Sequence, residues 1–187
     1  MKPGLDMRIA ISGTHFSGKS TLVEELSRRL PKYSTVEEPY YLLEEDGYEF
    51  SEMPSVEDFE LQLERSLECV SESEPDVIFD RCPADILGYL LTHSDAEEFD
   101  LDSWLSRCQA VVEKLDLIVF LPVEERDRID LPSFQDADFR ACVDDKLKKI
   151  LLEDSLDLGV EVLTVTGALA ERVEQVMKYL HNRSTDV

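Results

Sequence analysis

The segment Gly13-Thr-His-Phe-Ser-Gly18-Lys19-Ser20 constrains this chain more than any other. It stands between a short β-prone run, Arg8-Ile-Ala-Ile-Ser12, and a helical pattern with Leu22, Val23, Leu26 and Leu30 on one stripe. The two glycines let the backbone bend so that successive N–H groups face a single point. The helix that starts at the loop adds its positive end to the same place. Strand, loop and helix in this order build a pocket for an anion.

Lys19 and Ser20 complete the pattern GxxxxGK[ST], the phosphate-binding P-loop. Lys19 reaches β- and γ-phosphates, and the Ser20 hydroxyl is a ligand for Mg²⁺. Four fixed positions would recur by accident in under ~1 in 100 chains of this length. The residues expected to hold a nucleotide are Gly13, Thr14, His15, Phe16, Ser17, Gly18, Lys19, Ser20 and Thr21, with ATP and Mg²⁺ as cofactors.

Strand and helix alternate beyond the loop. Tyr33 to Val36 reads as a weak strand ending in Glu37-Glu38-Pro39, and residues 40–54 show no clear period. Val56 to Val70 is helical, Val77 to Phe79 is a buried strand, and Ala84 to Leu91 and Leu101 to Leu115 are two helices. Leu117 to Leu121 is the most apolar strand, and Pro122 to Asp136 is a charged connection. A long helix to about Leu158, a strand over Val160 to Val165 and a helix to about Leu180 complete the chain. This pattern predicts a single α/β domain, a parallel sheet of about five strands with helices on both faces. Ligands of such sheets lie beyond the carboxyl ends of the strands.

A P-loop needs a carboxylate near its metal, and Val77-Ile-Phe79 delivers Asp80, whereas Leu117 to Leu121 ends in Pro122. Asp80 is the expected partner of Ser20 at the metal, and Arg81 is poised to meet an acceptor or a phosphate. Glu38 ends the second strand, where a carboxylate can take the proton of an acceptor hydroxyl, and Glu37 beside it is equally acidic. Arg126 and Arg128 in the charged connection, with Arg140 beyond, would neutralise developing charge from a mobile loop. Gly167 ends the last strand, where backbone can approach a purine ring or simply turn. For each of these residues the plain alternative is a helix cap, a turn or a surface ion pair.

The 187 residues carry 19 basic and 42 acidic side chains, a net charge of −23. That balance argues against bulk nucleic acid and anionic membranes, which need a basic face. Residues Met1 to Met7 are polar and lack a leader pattern, no apolar run is long enough to span a bilayer, and the four cysteines lie far apart in sequence. Reduced thiols in the cytoplasm are the simplest reading.

Taken together, these residues resemble the P-loop kinases of the nucleoside and nucleotide kinase group. Asp80-Arg81 followed by Ala84 to Tyr89 looks like the Asp-Arg signature of thymidylate kinases. Glu38-Pro39 looks like the Glu-Pro of deoxynucleoside kinases, in which the glutamate is the base. The stretches ISGTHFSGKSTL and VIFDRCPADILGYL are similar to small ATPases that in turn resemble the ribosylnicotinamide kinase domain of a bacterial NAD-biosynthesis regulator. The resemblance implies a three-layer P-loop fold with strand order 2-3-1-4-5. It implies a helical lid at about 122–140, an acceptor region at about 38–75, adenine near Gly167 and a base-reading role for Gln62. The chain departs from the deoxynucleoside kinases in having Asp80-Arg81-Cys82 where they have Glu-Arg-Ser. Their aromatic base-binding pattern is also missing after Pro39, which leaves the acceptor open.

The reading that follows is ATP- and Mg-dependent phosphoryl transfer to a small molecule, a nucleoside or nucleotide, with Tyr40, Tyr41, Tyr48 and Phe50 available to pack on a flat ring. The alternative is a P-loop NTPase that acts as a nucleotide-dependent switch for a protein partner. A kinase of polynucleotide 5′ ends would need a basic groove, and Lys146, Lys148 and Lys149 share their helix with Asp144, Asp145, Glu153 and Asp154. Homodimerisation and the choice of ATP over GTP are left open.

Overall fold

The computed structural model describes residues 6–51, 53–124 and 137–184. Five parallel strands form one sheet: β1 (Arg8–Ser12), β2 (Ser34–Val36), β3 (Val77–Asp80), β4 (Leu117–Phe120) and β5 (Val162–Thr164). Their order is β2-β3-β1-β4-β5, as the resemblance implied. Between them run helices α1 (Lys19–Arg29), α2 (Pro39–Glu45), α3 (Val56–Glu72), α4 (Pro83–Leu90), α5 (Leu101–Val112), α6 (Ala137–Leu151) and α7 (Leu169–Arg183).

The apolar runs of the central strands are nearly continuous because both faces of the sheet are covered. Alternation then sorts their side chains. Ala10, Val77, Phe79, Ile118 and Phe120 join the core under α3, α4, α5 and α6. Ile9, Ile11, Ile78, Leu117 and Val119 point the other way and pack against Leu22 and Leu26 of α1 and Val173 and Val176 of α7. Helix α4 is buried along its whole length. Gly88 allows this, because a Cβ there would come within 2.7 Å of Leu147 Cδ2 on α6.

Two segments differ from the sequence reading. Residues 39–45 form α2, which starts with Pro39 at its first turn, where a missing N–H costs nothing. The helix expected to reach Leu158 stops at Leu151, because Asp154, Asp157 and Gly159 all adopt positive φ. Asp154 Oδ1 secures that turn by accepting from the Leu158 N–H at 2.7 Å.

Register places the site. Ile11 pairs with Asp80, Ser12 with Phe120, and Val36 with Phe79. The carboxyl ends of β1, β2 and β3 therefore deliver Gly13, Glu38 and Asp80-Arg81 to one edge of the sheet.

Candidate active site

The phosphate loop is held in place before any ligand arrives. Gly13, Phe16 and Gly18 take positive φ, and at Gly13 a Cβ would lie 2.7 Å from the Leu121 carbonyl. Every carbonyl from Gly13 to Ser17 is taken by a cationic side chain. Arg81 donates to Gly13 O at 3.1 Å and Lys19 Nζ to Thr14 O at 2.7 Å. Arg140 donates to His15 O and Phe16 O, each at 3.0 Å, and Arg172 donates to Ser17 O at 2.7 Å. Two N–H groups are pinned from α4: Gly13 N donates to Asp85 Oδ1 and His15 N to the Tyr89 hydroxyl, both at 2.8 Å. The N–H groups of Phe16, Ser17, Gly18, Lys19 and Ser20 meet no acceptor among the described residues. Carbonyls bound outward and amides left open make a ready anion cradle.

Beside the cradle, Arg81 Nε donates to Glu38 Oε1 at 2.5 Å, and the guanidinium carbon lies 5.2 Å from the Tyr89 ring centre. Arg81 itself has φ 78, a strained backbone that its buried contacts over-determine. Burial pushes the Glu38 carboxyl up, but Arg81 and Lys19 outweigh it and hold the group below the usual glutamate range. Burial and the nearby Arg81 bring Lys19 down to about 8. Burial, helped by Arg81, Arg140 and Lys19, brings His15 to about 4, so its ring is neutral at physiological pH.

Asp80 is buried with Oδ1 unpartnered, and burial raises its carboxyl although the nearby Ser20 hydroxyl and Lys19 favour the charged form. The described residues hold no cluster of three or more His, Cys, Asp or Glu fit for a metal. The unpartnered Asp80 oxygen and the Ser20 hydroxyl are oxygen donors of the kind Mg²⁺ takes when it is bound mainly by phosphates and water.

Two adjoining clefts open here, each of about 670 Å³. One runs from the phosphate loop to Glu38, Arg81, Tyr40, Tyr41 and Pro54. The other lies between α1, β2 and α2, and shares Ser20, Glu38 and Tyr41 with the first. A third hollow of about 550 Å³ lies beside Gly167, Thr166 and Glu124.

A family model described as an AAA domain matches residues 8–172. The chain belongs to that family. No curated protein sequence matches it. Among solved structures, deoxyadenosine kinase from M. mycoides with bound dATP matches with a TM-score of 0.63 and 18% identity over 94% of this chain and 99% of that one. Thymidylate kinase from Candida albicans gives 0.63 and 18% over 95% and 92%. The NadR protein in complex with NAD and AMP-PNP gives 0.63 and 16% over 94% of this chain and 50% of that one. At these identities the likeness shows the fold: that of the P-loop kinases.

This AAA-domain chain places the residues expected from sequence as follows. Gly13 to Thr21 form the loop and the start of α1, and Glu38, Asp80 and Arg81 converge on it. Glu37 is exposed on the second cleft, whereas Glu38 turns inward to Arg81. Gly167 has φ 96, and its N–H donates to Glu124 Oε1 at 3.0 Å. Arg140 is buried on the carbonyls of the loop. Gln62 is buried on α3, with Nε2 bonded back to Asp58 O at 3.2 Å. Tyr40 stacks on Phe50 at 4.2 Å, and the Tyr48 hydroxyl donates to Asp58 at 2.8 Å. Lys148 is paired with Asp144 and Asp145. Arg126, Arg128 and most of the expected lid lie outside the described residues.

Four residues of the site escaped sequence reasoning. Asp85 is fully buried and also accepts from Ser12 Oγ at 3.0 Å and Cys82 N at 3.0 Å. Tyr89 lies one turn further along α4, and its hydroxyl is 3.0 Å from His15 Nδ1. The signal for both was an Asp and a Tyr at i, i+4 in an otherwise apolar helix. Glu124 accepts from Arg172 at 2.9 Å, which links the turn at Gly167 to Ser17 of the phosphate loop. Nothing local in the sequence marks that link.

Proposed function

We propose that the protein is a small-molecule kinase, transferring the γ-phosphoryl group of ATP to a hydroxyl of a nucleoside or nucleotide. The observation that carries this reading is the Glu38–Arg81 pair, set between an open cleft and the P-loop. A carboxylate there could also activate water, but the organic-sized cleft beside it favours an acceptor hydroxyl.

The residues divide the work. The open amides from Phe16 to Ser20, with Lys19, receive the donor phosphates. Ser20 and Asp80 hold Mg²⁺, which supplies charge neutralisation at the phosphates when bound. Glu38 accepts the proton of the acceptor hydroxyl as its oxygen bonds to the γ-phosphorus and the bond to the leaving ADP oxygen breaks. Arg81 orients Glu38 and lends positive charge to the transferring group. Positioning and electrostatics account for the rate, as is general for phosphoryl transfer. Arg126 and Arg128 are proposed to close over the donor from the 122–140 segment, and the adenine to lie by Gly167. The structural neighbours described with dATP and AMP-PNP support nucleotide binding in this fold. No helix among the described residues is long and apolar enough to cross a membrane. Four free cysteines suit a reducing cytoplasm.

The test is ADP release from Mg-ATP, with and without nucleosides, nucleoside monophosphates and ribosylnicotinamide, with Lys19→Ala as control. Turnover that rises with one acceptor and disappears in the control is expected. Slow turnover indifferent to every acceptor would overturn the kinase reading and leave the nucleotide switch.

A further inference from the structure

We infer that the acceptor carries no phosphate or carboxylate: it is a neutral or positively charged alcohol. The inference rests on the kinase reading and decides between the nucleoside and the nucleotide that the reading leaves open.

The argument is an inventory of charge around the reacting position. Among the described residues, the only Lys or Arg lining either cleft are Lys19 and Arg81. Lys19 is buried within the phosphate loop, where the donor phosphates need it. Arg81 is buried, with Nε on Glu38, one terminal nitrogen on Gly13 O and 3.8 Å from Asp85, and its face over Tyr89. Turning it toward an acceptor anion would strip Glu38 of the partner that keeps it ionised. Arg65 on α3 is tied to Asp46 and Glu68. Side chains that recognise a phosphate or carboxylate are typically cationic, and among the described residues no uncommitted Lys or Arg lines these walls.

The walls are instead negative. Six carboxylates line the cleft between α1, β2 and α2: Glu24 is paired with Arg28, Glu38 with Arg81, and Asp80 is given to the metal, while Glu37, Glu44 and Glu45 meet no Lys or Arg among the described residues. Asp80 is more than nine-tenths buried with an unpartnered oxygen. An anionic acceptor would meet the exposed carboxylates of Glu37, Glu44 and Glu45 as well as the donor phosphates, and like charges this close repel even across solvent. Tyr40, Tyr41 and Pro54 offer flat, weakly polar surface, which suits an uncharged ring or a cation over an aromatic face.

The experiment compares kcat/KM for deoxyadenosine with its 5′-monophosphate, and thymidine with its own, under Mg-ATP. The nucleosides are expected to exceed the monophosphates by about 10-fold, the range a few solvent-facing like charges produce together. That ratio is expected to shrink in high salt for the unaltered protein. It is expected to shrink again in Glu44→Lys and Glu45→Lys, with circular dichroism verifying the fold. Equal or better use of a monophosphate would overturn the inference and keep the kinase. A ratio indifferent to salt and to both substitutions would overturn it too, because charge would not be its source. Stimulation by no compound would remove the kinase reading itself, and this inference with it.

Discussion

The proposed donor side and the proposed acceptor side of this molecule are built on opposite plans. Around the phosphate loop, four carbonyls and two amides are bound by side chains distant in sequence, from Arg81 beyond β3 and from α4, α6 and α7, and a fifth carbonyl by Lys19 of α1. Little is left to rearrange when an anion arrives. On the acceptor side a short helix, α2, carries half-exposed Tyr41 beside two open clefts, and its contacts come from a local aromatic cluster. On the proposed reading, the donor would be met by fixed backbone and the acceptor by a few replaceable side chains on a light element. The fold can keep its donor while its acceptor changes.

The largest test of that contrast is Glu38→Gln. The amide oxygen can still accept from Arg81, so the geometry survives while the base is lost. Phosphoryl transfer is expected to fall by ~10²–10⁴-fold, the usual contribution of general-base assistance. Affinity for ATP, measured by calorimetry, should hardly change. The unaltered protein should lose kcat/KM as pH falls through the depressed Glu38 value, below the ordinary glutamate range, and be flat above it until Lys19 gives up its proton near pH 8. The same depression means that Glu38 stabilises the fold above its unfolded value and loses that contribution as pH falls through the folded one. A strong loss of ATP binding in Glu38→Gln would show that the two sides are not separable.

Next comes Lys19→Met, which attacks the donor side. Loss of a donor aimed at developing charge costs ~10²–10³-fold in kcat. The ligand-free protein should nonetheless become more stable. Lys19 titrates at about 8, well below an ordinary lysine, so the unfolded chain binds its proton more tightly than the folded chain does. The buried ammonium thus destabilises the fold at every pH below about 8, by on the order of 3 kcal/mol, and the penalty fades as pH rises from there through the ordinary lysine range. Thermal melts at pH 7 and pH 10 should show the gain at pH 7 only. A lower melting temperature at pH 7 would refute the idea of a strained cradle awaiting its anion.

What the sequence disclosed follows the same division. Gly13 to Ser20 are contiguous, and their chemistry depends on spacing alone, so the loop was legible. Asp80-Arg81 was legible because a buried strand can place an acid only at its tip. That both faces of the sheet are covered followed from the alternation of strands and helices, whereas the sorting of side chains between the two cores is seen only in the structure. Asp85, Tyr89, Glu124 and Arg172 were not legible, because each acts on a partner 43 or more positions away. Locally, Asp85 reads as the cap of α4, a part it also plays through Cys82 N. Helix α2 was hidden for another reason: Tyr40-Tyr41-Leu42-Leu43 carries no polar face, and seven residues are too few to show a period. The early end of α6 lay in aspartates at positive φ, a conformation that asparagine and aspartate tolerate but do not announce.

A smaller effect is expected from Arg172→Ala and Glu124→Ala, which cut the link between Ser17 and the turn at Gly167. Each should raise KM for ATP by about 10-fold, the loss of one or two charge-assisted hydrogen bonds, with kcat little changed. The double variant should be no worse than Arg172→Ala alone, because both act through one contact. Additive losses would mean that Arg172 and Glu124 serve separate ends, and the donor side would be less unified than its hydrogen bonds indicate.

The smallest effect sharpens the acceptor side. Tyr41 is 53% exposed and touches Tyr40 edge-on at 5.4 Å, while Tyr40 is independently stacked on Phe50. Removing Tyr41 should leave that stack standing, and an exposed ring contributes little to folding, so the melting temperature should barely move. An aromatic contact to a ring is worth about 0.5–1.5 kcal/mol, which is roughly 2–10-fold in acceptor KM. Tyr41→Ala should raise acceptor KM within that range with KM for ATP unchanged, and Tyr41→Phe should restore it, because the ring face rather than the hydroxyl makes the contact. If Tyr41→Ala instead raised KM for ATP as much as for the acceptor, α2 would be helping to shape the phosphate cradle. The replaceable acceptor wall would then be part of the fixed donor frame.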